Sequence, residues 1–256
     1  MSLPVLPSMT HRIAVCLLFF AVTFAVYGSS FRHQFVEWDD TFLIKENAIV
    51  SSMSFSTIKQ AFTSYDPELY IPLTFLSYQI DHAIGGLDPW IYHLSNLLLH
   101  TLNAVLVTWF LFLMLENGWL AIGLGLLFAV HPLNTEAVAW ASARKDVLST
   151  FFFFAALIGY VYASDKQDRK LLWVSVGLFF FGLLSKVMIV TLPVILVLLD
   201  LLRHGSISIR SLKNKIPYFA FAVLFGIIGL FGKSKILVAS TLWQKILMAA
   251  KSTIFY

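Results

Sequence analysis

The chain has 256 residues, 59% of them hydrophobic and 12% charged, with a formal net charge of +4 and a mean hydropathy of +0.81. A soluble globular domain is nearer half apolar and a quarter charged, so this composition excludes an ordinary soluble fold, and the small positive excess gives no support for nucleic-acid binding. The single cysteine, Cys16, excludes an internal disulfide and sits in an apolar run.

The first apolar run, Ile13–Phe31, follows His11 and Arg12. Gly28, Ser29 and Ser30 would suit a signal-peptide cleavage site, but an uncleaved first span is preferred. Either way the next segment is exported. That segment, 32–86, holds Glu37, Asp39, Asp40, Glu46, Asp66, Glu68 and Asp81 against Arg32, Lys45 and Lys59. Within it Ser54 can cap a short helix with Phe55, Ile58, Ala61 and Phe62 on one face. Pro72 suits the first turn of a second, with Leu73, Leu76 and Ile80 on one side. Both are expected to lie along the membrane surface.

Six further apolar runs follow: Leu87–Leu115, Trp119–Val130, Val147–Ala163, Leu171–Leu184, Val187–Leu202 and Ile216–Gly232. The fold class is therefore an all-α polytopic membrane bundle of about seven spans plus two interfacial helices. Lys166, Arg169, Lys170, Arg203, Arg210, Lys213 and Lys215 fall in alternate connections, which places the N-terminus in the cytoplasm. The exported side then also carries Arg144, Lys145 and Lys186.

Span lengths are uneven. Leu171–Leu184 reaches only about 21 Å at 1.5 Å per residue, against a hydrocarbon core of about 30 Å. Its connection at Ser185-Lys186, and the one at His131-Pro132, should lie below the outer surface, where polar backbone survives only against protein or a water-filled cavity. An outward-facing vestibule results, with His131, Arg144, Lys145 and Lys186 near its wall. In the alternative the short spans extend through their flanks and the charges snorkel. The second span carries His93, Asn96, His100 and Asn103 within about 80° of helix face. Hydrogen bonding between helices is the favoured role; lining the cavity is the other.

Two clusters suit chemistry. Trp38-Asp39-Asp40 follows the first span, and adjacent carboxylates at the interface fit acid–base work, one as base and one as its support. They would equally serve as solvated surface acids. His131-Pro132-Leu133-Asn134-Thr135-Glu136 precedes Trp140 and Arg144-Lys145-Asp146; cations at a cavity mouth stabilise a phosphate leaving group, or bind lipid headgroups, or pair with Asp146. Lys186 is a lone cation between apolar arms, which points to function by default. No P-loop, dinucleotide fingerprint, HExxH or CxxC is present. No cofactor is certain from the residues; participation of a divalent metal stays open, with no clear ligand set to support it.

Several ordered motifs carry a family resemblance: Phe35-Val36-Glu37-Trp38-Asp39-Asp40, Tyr70-Ile71-Pro72-Leu73-Thr74, the stretch from Tyr92 to His100, His131-Pro132-Leu133, Glu136 to Trp140, Arg144 to Thr150, and Leu184-Ser185-Lys186 with Val190-Thr191-Leu192-Pro193. Together they resemble the N-terminal membrane part of tetratricopeptide-repeat-associated glycosyltransferases of the GT-C type, related to the repeat-containing O-mannosyltransferases. The resemblance implies a polyprenyl- or dolichyl-phosphate sugar donor, a protein or glycan acceptor and an inverting transfer at the outer (periplasmic, extracellular or ER-luminal) face. It further implies Asp39 as base and Asp40 as its support. Arg144, Lys145, Lys186 and His131 would hold the donor phosphate, and Trp38, His93, Asn96, His100 and Glu136 would line the cavity. Ala143, Val187 and Ile71 depart from the family pattern, where Glu, Pro and Arg are usual. The chain is expected to form one membrane domain, incomplete after Ser252–Tyr256, since members continue into 34-residue repeats absent here. Two other functions compete: a transporter or flippase of a lipid-linked or anionic substrate, and a non-catalytic or truncated membrane subunit. The adjacent Asp pair and the lack of an inverted repeat favour the transferase.

Overall fold

The computed structural model describes residues 8–65 and 69–237, with Thr241, Trp243, Leu247 and Met248; Asp66, Glu68 and the 252–256 terminus lie outside the described residues. Among the described residues every regular element is helical. The order is α1 (Met9–Tyr27), α2 (Phe55–Thr63), α3 (Pro72–Gly85), α4 (Pro89–Leu115), α5 (Gly118–Val130), α6 (Thr135–Ala139), α7 (Arg144–Lys166), α8 (Arg169–Ser185), α9 (Leu192–His204) and α10 (Ile209–Leu237).

Local chemistry sets the boundaries. Asp88 caps α4 ahead of Pro89, whose missing N–H costs nothing in a first turn. Asn117 caps α5 by accepting the Leu120 N–H at 3.1 Å, and Asp168 caps α8 by accepting the Lys170 N–H at 2.7 Å. Gly205 ends α9 at φ 70°, a left-handed conformation that glycine adopts without strain. Between α1 and α3, Ser54 and Thr57 form a reciprocal capping box at the start of α2.

Five helical stretches among the described residues are long and apolar enough to cross a membrane: Met9–Arg32, Pro89–Leu115, Ala141–Lys166, Val187–His204 and Ile209–Gly232. The pair Gly118–Val130 and Pro132–Ala139, bent by 50°, raises the number to six. The expected seven spans are thus five or six by length. One expected span is lost at α8, whose 17 residues rise about 26 Å, short of a hydrocarbon core; the other depends on whether the bent pair counts as one span.

The interior has two principal parts. Leu157, Val161, Phe179, Leu183, Leu192 and Leu196 centre a core among α7, α8, α9 and α10. There α7 and α8 form a close antiparallel pair: a Cβ on Gly159 would come within 3.2 Å of the Ser175 Cβ, so a small residue permits the approach. The second part belongs to the segment between α1 and α4, where Leu43, Ile44, Ile49 and Val50 pack on Phe75, Tyr78 and Tyr92. Both short helices form where Ser54 and Pro72 place them, but their buried faces differ from expectation. In α3 the buried side chains include Thr74, Phe75, Tyr78, Gln79 and Asp81, while Ile80 is exposed. In α2 Ala61 is buried and Phe55 and Phe62 are exposed. The helix α3 packs against α8, α4 and α2, so polar groups that find partners there go inward and apolar ones need not.

The helices alternate in direction. One end of the bundle gathers residues 28–40, 86–89, 131–146 and 186; the other gathers 8–12, 115–118, 166–169 and 204–209.

Candidate functional site

Three helix breaks meet at the first end. The chain leaves α1 through a 3-10 turn at Gly28–Arg32 and re-enters helix at Asp39, just before a π-turn over Thr41–Lys45. A second break separates α6 from α7, and a third separates α8 from α9 at Lys186. Each break frees backbone groups that must find partners away from water.

Asp40 supplies two of those partners. It is 1% exposed, and its carboxylate accepts the Val36 N–H at 2.8 Å and the Ser142 N–H at 2.9 Å. It therefore stitches the segment after α1 to the α6–α7 break, and these charge-assisted bonds compensate its burial. The carbonyls of the same break are taken from two other helices. The Asn96 amide donates to Trp140 at 2.8 Å, and the Tyr78 hydroxyl donates to Ala141 at 3.2 Å. Burial raises the Tyr78 phenol well above the usual tyrosine range, against a smaller opposing pull from Arg144, so it remains a donor.

Arg144 lies beneath this strand of chain and is 1% exposed. Its guanidinium donates to Asn96 Oδ1, to Ser77 Oγ at 3.2 Å, to Asp81 Oδ2 at 2.6 Å and to the Tyr92 carbonyl at 2.9 Å. It also lies over the Tyr78 ring. Arg144, expected on a phosphate-facing wall, is placed here with its donors tying α3, α4 and α7 together. Its carboxylate partner is Asp81, not Asp146.

The partly exposed charges of this end are Asp39, Lys145, Asp146 and Lys186. Lys145 Nζ is 3.3 Å from Asp39 Oδ2, with side chains 14% and 39% exposed, and the same ammonium rests over the Trp140 ring. Lys186 donates to Asp146 Oδ1, and both are partly exposed. Thr74 anchors this corner by donating to the Ser185 carbonyl at 3.0 Å. Asp39, Lys145, Asp146 and Lys186 thus form two neighbouring ion pairs of opposite order, fixed by consecutive residues of α7.

The remaining expected site residues are dispersed. His131 is exposed and accepts the Leu133 N–H on Nδ1 at 3.3 Å; no hydrogen bond or ion pair joins it to the Asp39–Lys145 group among the described residues. Trp38 and Glu136 are exposed. His93, Asn96 and His100 are buried and hold backbone or pack instead of lining an opening. His100 Nε2 lies 2.9 Å from the Ala129 carbonyl, and Asn103, on the same stripe, donates to Val147 at 2.8 Å. His93 sits edge-on to His33, with ring centroids 6.1 Å apart. Sequence reasoning missed Asp81, Ser77, Tyr78 and Ser142. The available signal was Asp81 itself, the one carboxylate in α3, which needs a partner if it is buried.

Comparison with known proteins gives partial matches. The chain is 47% identical over 92 residues to the human protein O-mannosyl-transferase TMTC2, covering 36% of this chain and 11% of that protein. It is 37% identical over 109 residues to human TMTC3, covering 43% and 12%. The longest of these three alignments is with Drosophila melanogaster Tmtc2, 30% identical over 218 residues, covering 78% of this chain and 23% of the relative. The chain therefore spans only a fraction of the length of its relatives. No protein-family model and no solved structure gives a match.

Proposed function

Because the chain is homologous to protein O-mannosyl-transferases over as much as 78% of its length, we propose that it forms the membrane part of a glycosyltransferase that moves a sugar, mannose by homology, from a lipid phosphate to a protein hydroxyl. The observation that carries this reading is the pairing of Asp39 with Lys145 at 3.3 Å, on a segment that buried Asp40 clamps to the start of α7.

In the proposed step the acceptor oxygen attacks the anomeric carbon from the face opposite the phosphate. The bond from that carbon to the phosphate oxygen breaks, and the configuration inverts. Asp39 takes the hydroxyl proton as general base. The phosphate leaves with the bonding pair, and Lys145 and Lys186 neutralise the charge that develops on it. Asp40 acts through Asp39: its two backbone bonds hold the loop at a fixed height over α7. Arg144 has the same positioning character, one layer deeper. The N-terminus is cytoplasmic and the cluster faces the exoplasmic side, in keeping with the basic residues gathered at the other end.

The test is sugar transfer from a radiolabelled lipid-phosphate donor by the full-length protein. Asp39→Asn should lower the rate by about 10²–10⁴-fold with little change in melting. Transfer at the wild-type rate by a folded Asp39→Asn variant rejects the assignment. Net movement of the intact donor across a vesicle membrane, with no transfer, would favour the flippase.

A further inference from the structure

A polar cavity lies at the other end of the bundle. Its volume is about 400 Å³, within the range of small-ligand sites. It opens between the end of α7 and the starts of α8 and α10, roughly 33 Å along α7 from Arg144. Its charged lining is Arg169, Arg210, Lys213 and Asp168.

The disposition of these four decides what can bind. Asp168 is engaged locally, since its Oδ1 accepts the N–H groups of Lys170 and Leu171. Those bonds also occupy the first amides of α8, so the cavity's affinity for anions rests on side chains. Arg210 donates one N–H to Gln167 Oε1 at 3.4 Å, a neutral partner that leaves its charge uncompensated there. Arg169 and Lys213 are exposed and have no acidic partner among the described residues. The floor is Tyr160, whose hydroxyl donates to Asp200 at 2.8 Å and receives Lys215 at 2.5 Å. Because Lys215 pairs with Asp200, the buried floor is neutral, and the excess charge faces the opening.

Three cations from two helices line this one cavity together with the amides of Gln167 and Asn214, and such donors match the several acceptor oxygens of a phosphate. The cavity sits where α7, which belongs to a stretch long and apolar enough to cross a membrane, ends and α8 begins. We propose that this cavity binds a phosphate group, with the headgroup of an anionic phospholipid in the cytoplasmic leaflet as its ligand. The site is remote from the Asp39–Lys145 cluster and holds whether or not that cluster transfers sugar.

The experiment uses the purified protein in nanodiscs of phosphatidylcholine, with or without phosphatidic acid, and co-purified lipid is quantified. Wild-type protein should retain phosphatidic acid over phosphatidylcholine. At about fivefold in affinity for each cation near a lipid surface, R169Q/R210Q/K213Q should lose roughly 100-fold. A correctly folded triple variant that retains phosphatidic acid like the wild type overturns the site. If the triple variant melts, K213Q alone should weaken retention about fivefold, and unchanged retention overturns the proposal equally. Inorganic phosphate is the second arm. Displacement of phosphatidic acid by millimolar phosphate, lost in the variant, would keep the phosphate site and reassign its ligand to the aqueous phase.

Discussion

Replacing Arg144 separates a structural from a donor-binding role. The side chain is 1% exposed and bonds to Asn96, Ser77, Asp81 and the Tyr92 carbonyl. Arg144→Met keeps much of the volume but leaves Asp81, itself 3% exposed, as a buried carboxylate without its cation. Removing one partner of a buried pair costs about 3–5 kcal/mol, and at about 2–4 °C per kcal/mol for a chain of this size melting should fall by roughly 10 °C. Adding Asp81→Leu removes the stranded charge. The double variant should therefore melt above Arg144→Met, a coupling of more than about 1 kcal/mol. Thermal unfolding in detergent, followed by tryptophan fluorescence for the wild type, both single variants and the double, measures the cycle. If Arg144→Met melts within a degree of the wild type but no longer retains lipid-phosphate donor, the side chain serves the ligand and the reasoning is wrong.

Three other outcomes follow from the same geometry. Asp40→Asn replaces one acceptor of the Val36 and Ser142 N–H groups with an amide; it should cost about 1–3 kcal/mol and make the 32–45 segment cleavable by added protease well below the global melting temperature. Gly125→Ala would drive a Cβ into Thr108, whose hydroxyl is tethered to the Ala104 carbonyl at 2.8 Å, and close to Phe19. Such overpacking should cost about 1–3 kcal/mol in the same melting assay, whereas Gly123→Ala, which faces open space, should not. For Tyr78, burial raises the phenol above its ordinary value, so the stability it contributes is complete below about pH 10 and declines only above that, as the unfolded chain ionises first. Tyr78→Phe should cost about 1 kcal/mol through the lost bond to Ala141 without altering the stability profile between pH 6 and 9.

The residue order by itself determined the class of this molecule and the places where its helices stop. Long apolar runs admit only membrane-spanning helices, and Ser54, Pro72, Asp88, Asn117 and Asp168 mark helix starts through local capping that needs no distant partner. The stripe His93–Asn96–His100–Asn103 was legible as an inward face because helical periodicity places those residues together. Its partners were not legible, because the carbonyls of Ala129, Trp140 and Val147 reach it only once α5, the α6–α7 break and α7 have packed. The adjacent residues Asp39 and Asp40 look equivalent in the sequence. Only the tertiary structure makes one partly exposed against Lys145 and the other buried on backbone amides. The neighbours Arg144 and Lys145 divide in the same way. Consecutive residues at the start of a helix point about 100° apart, so α7 turns one cation toward Asp81 and the interior and the other toward Asp39 and the opening.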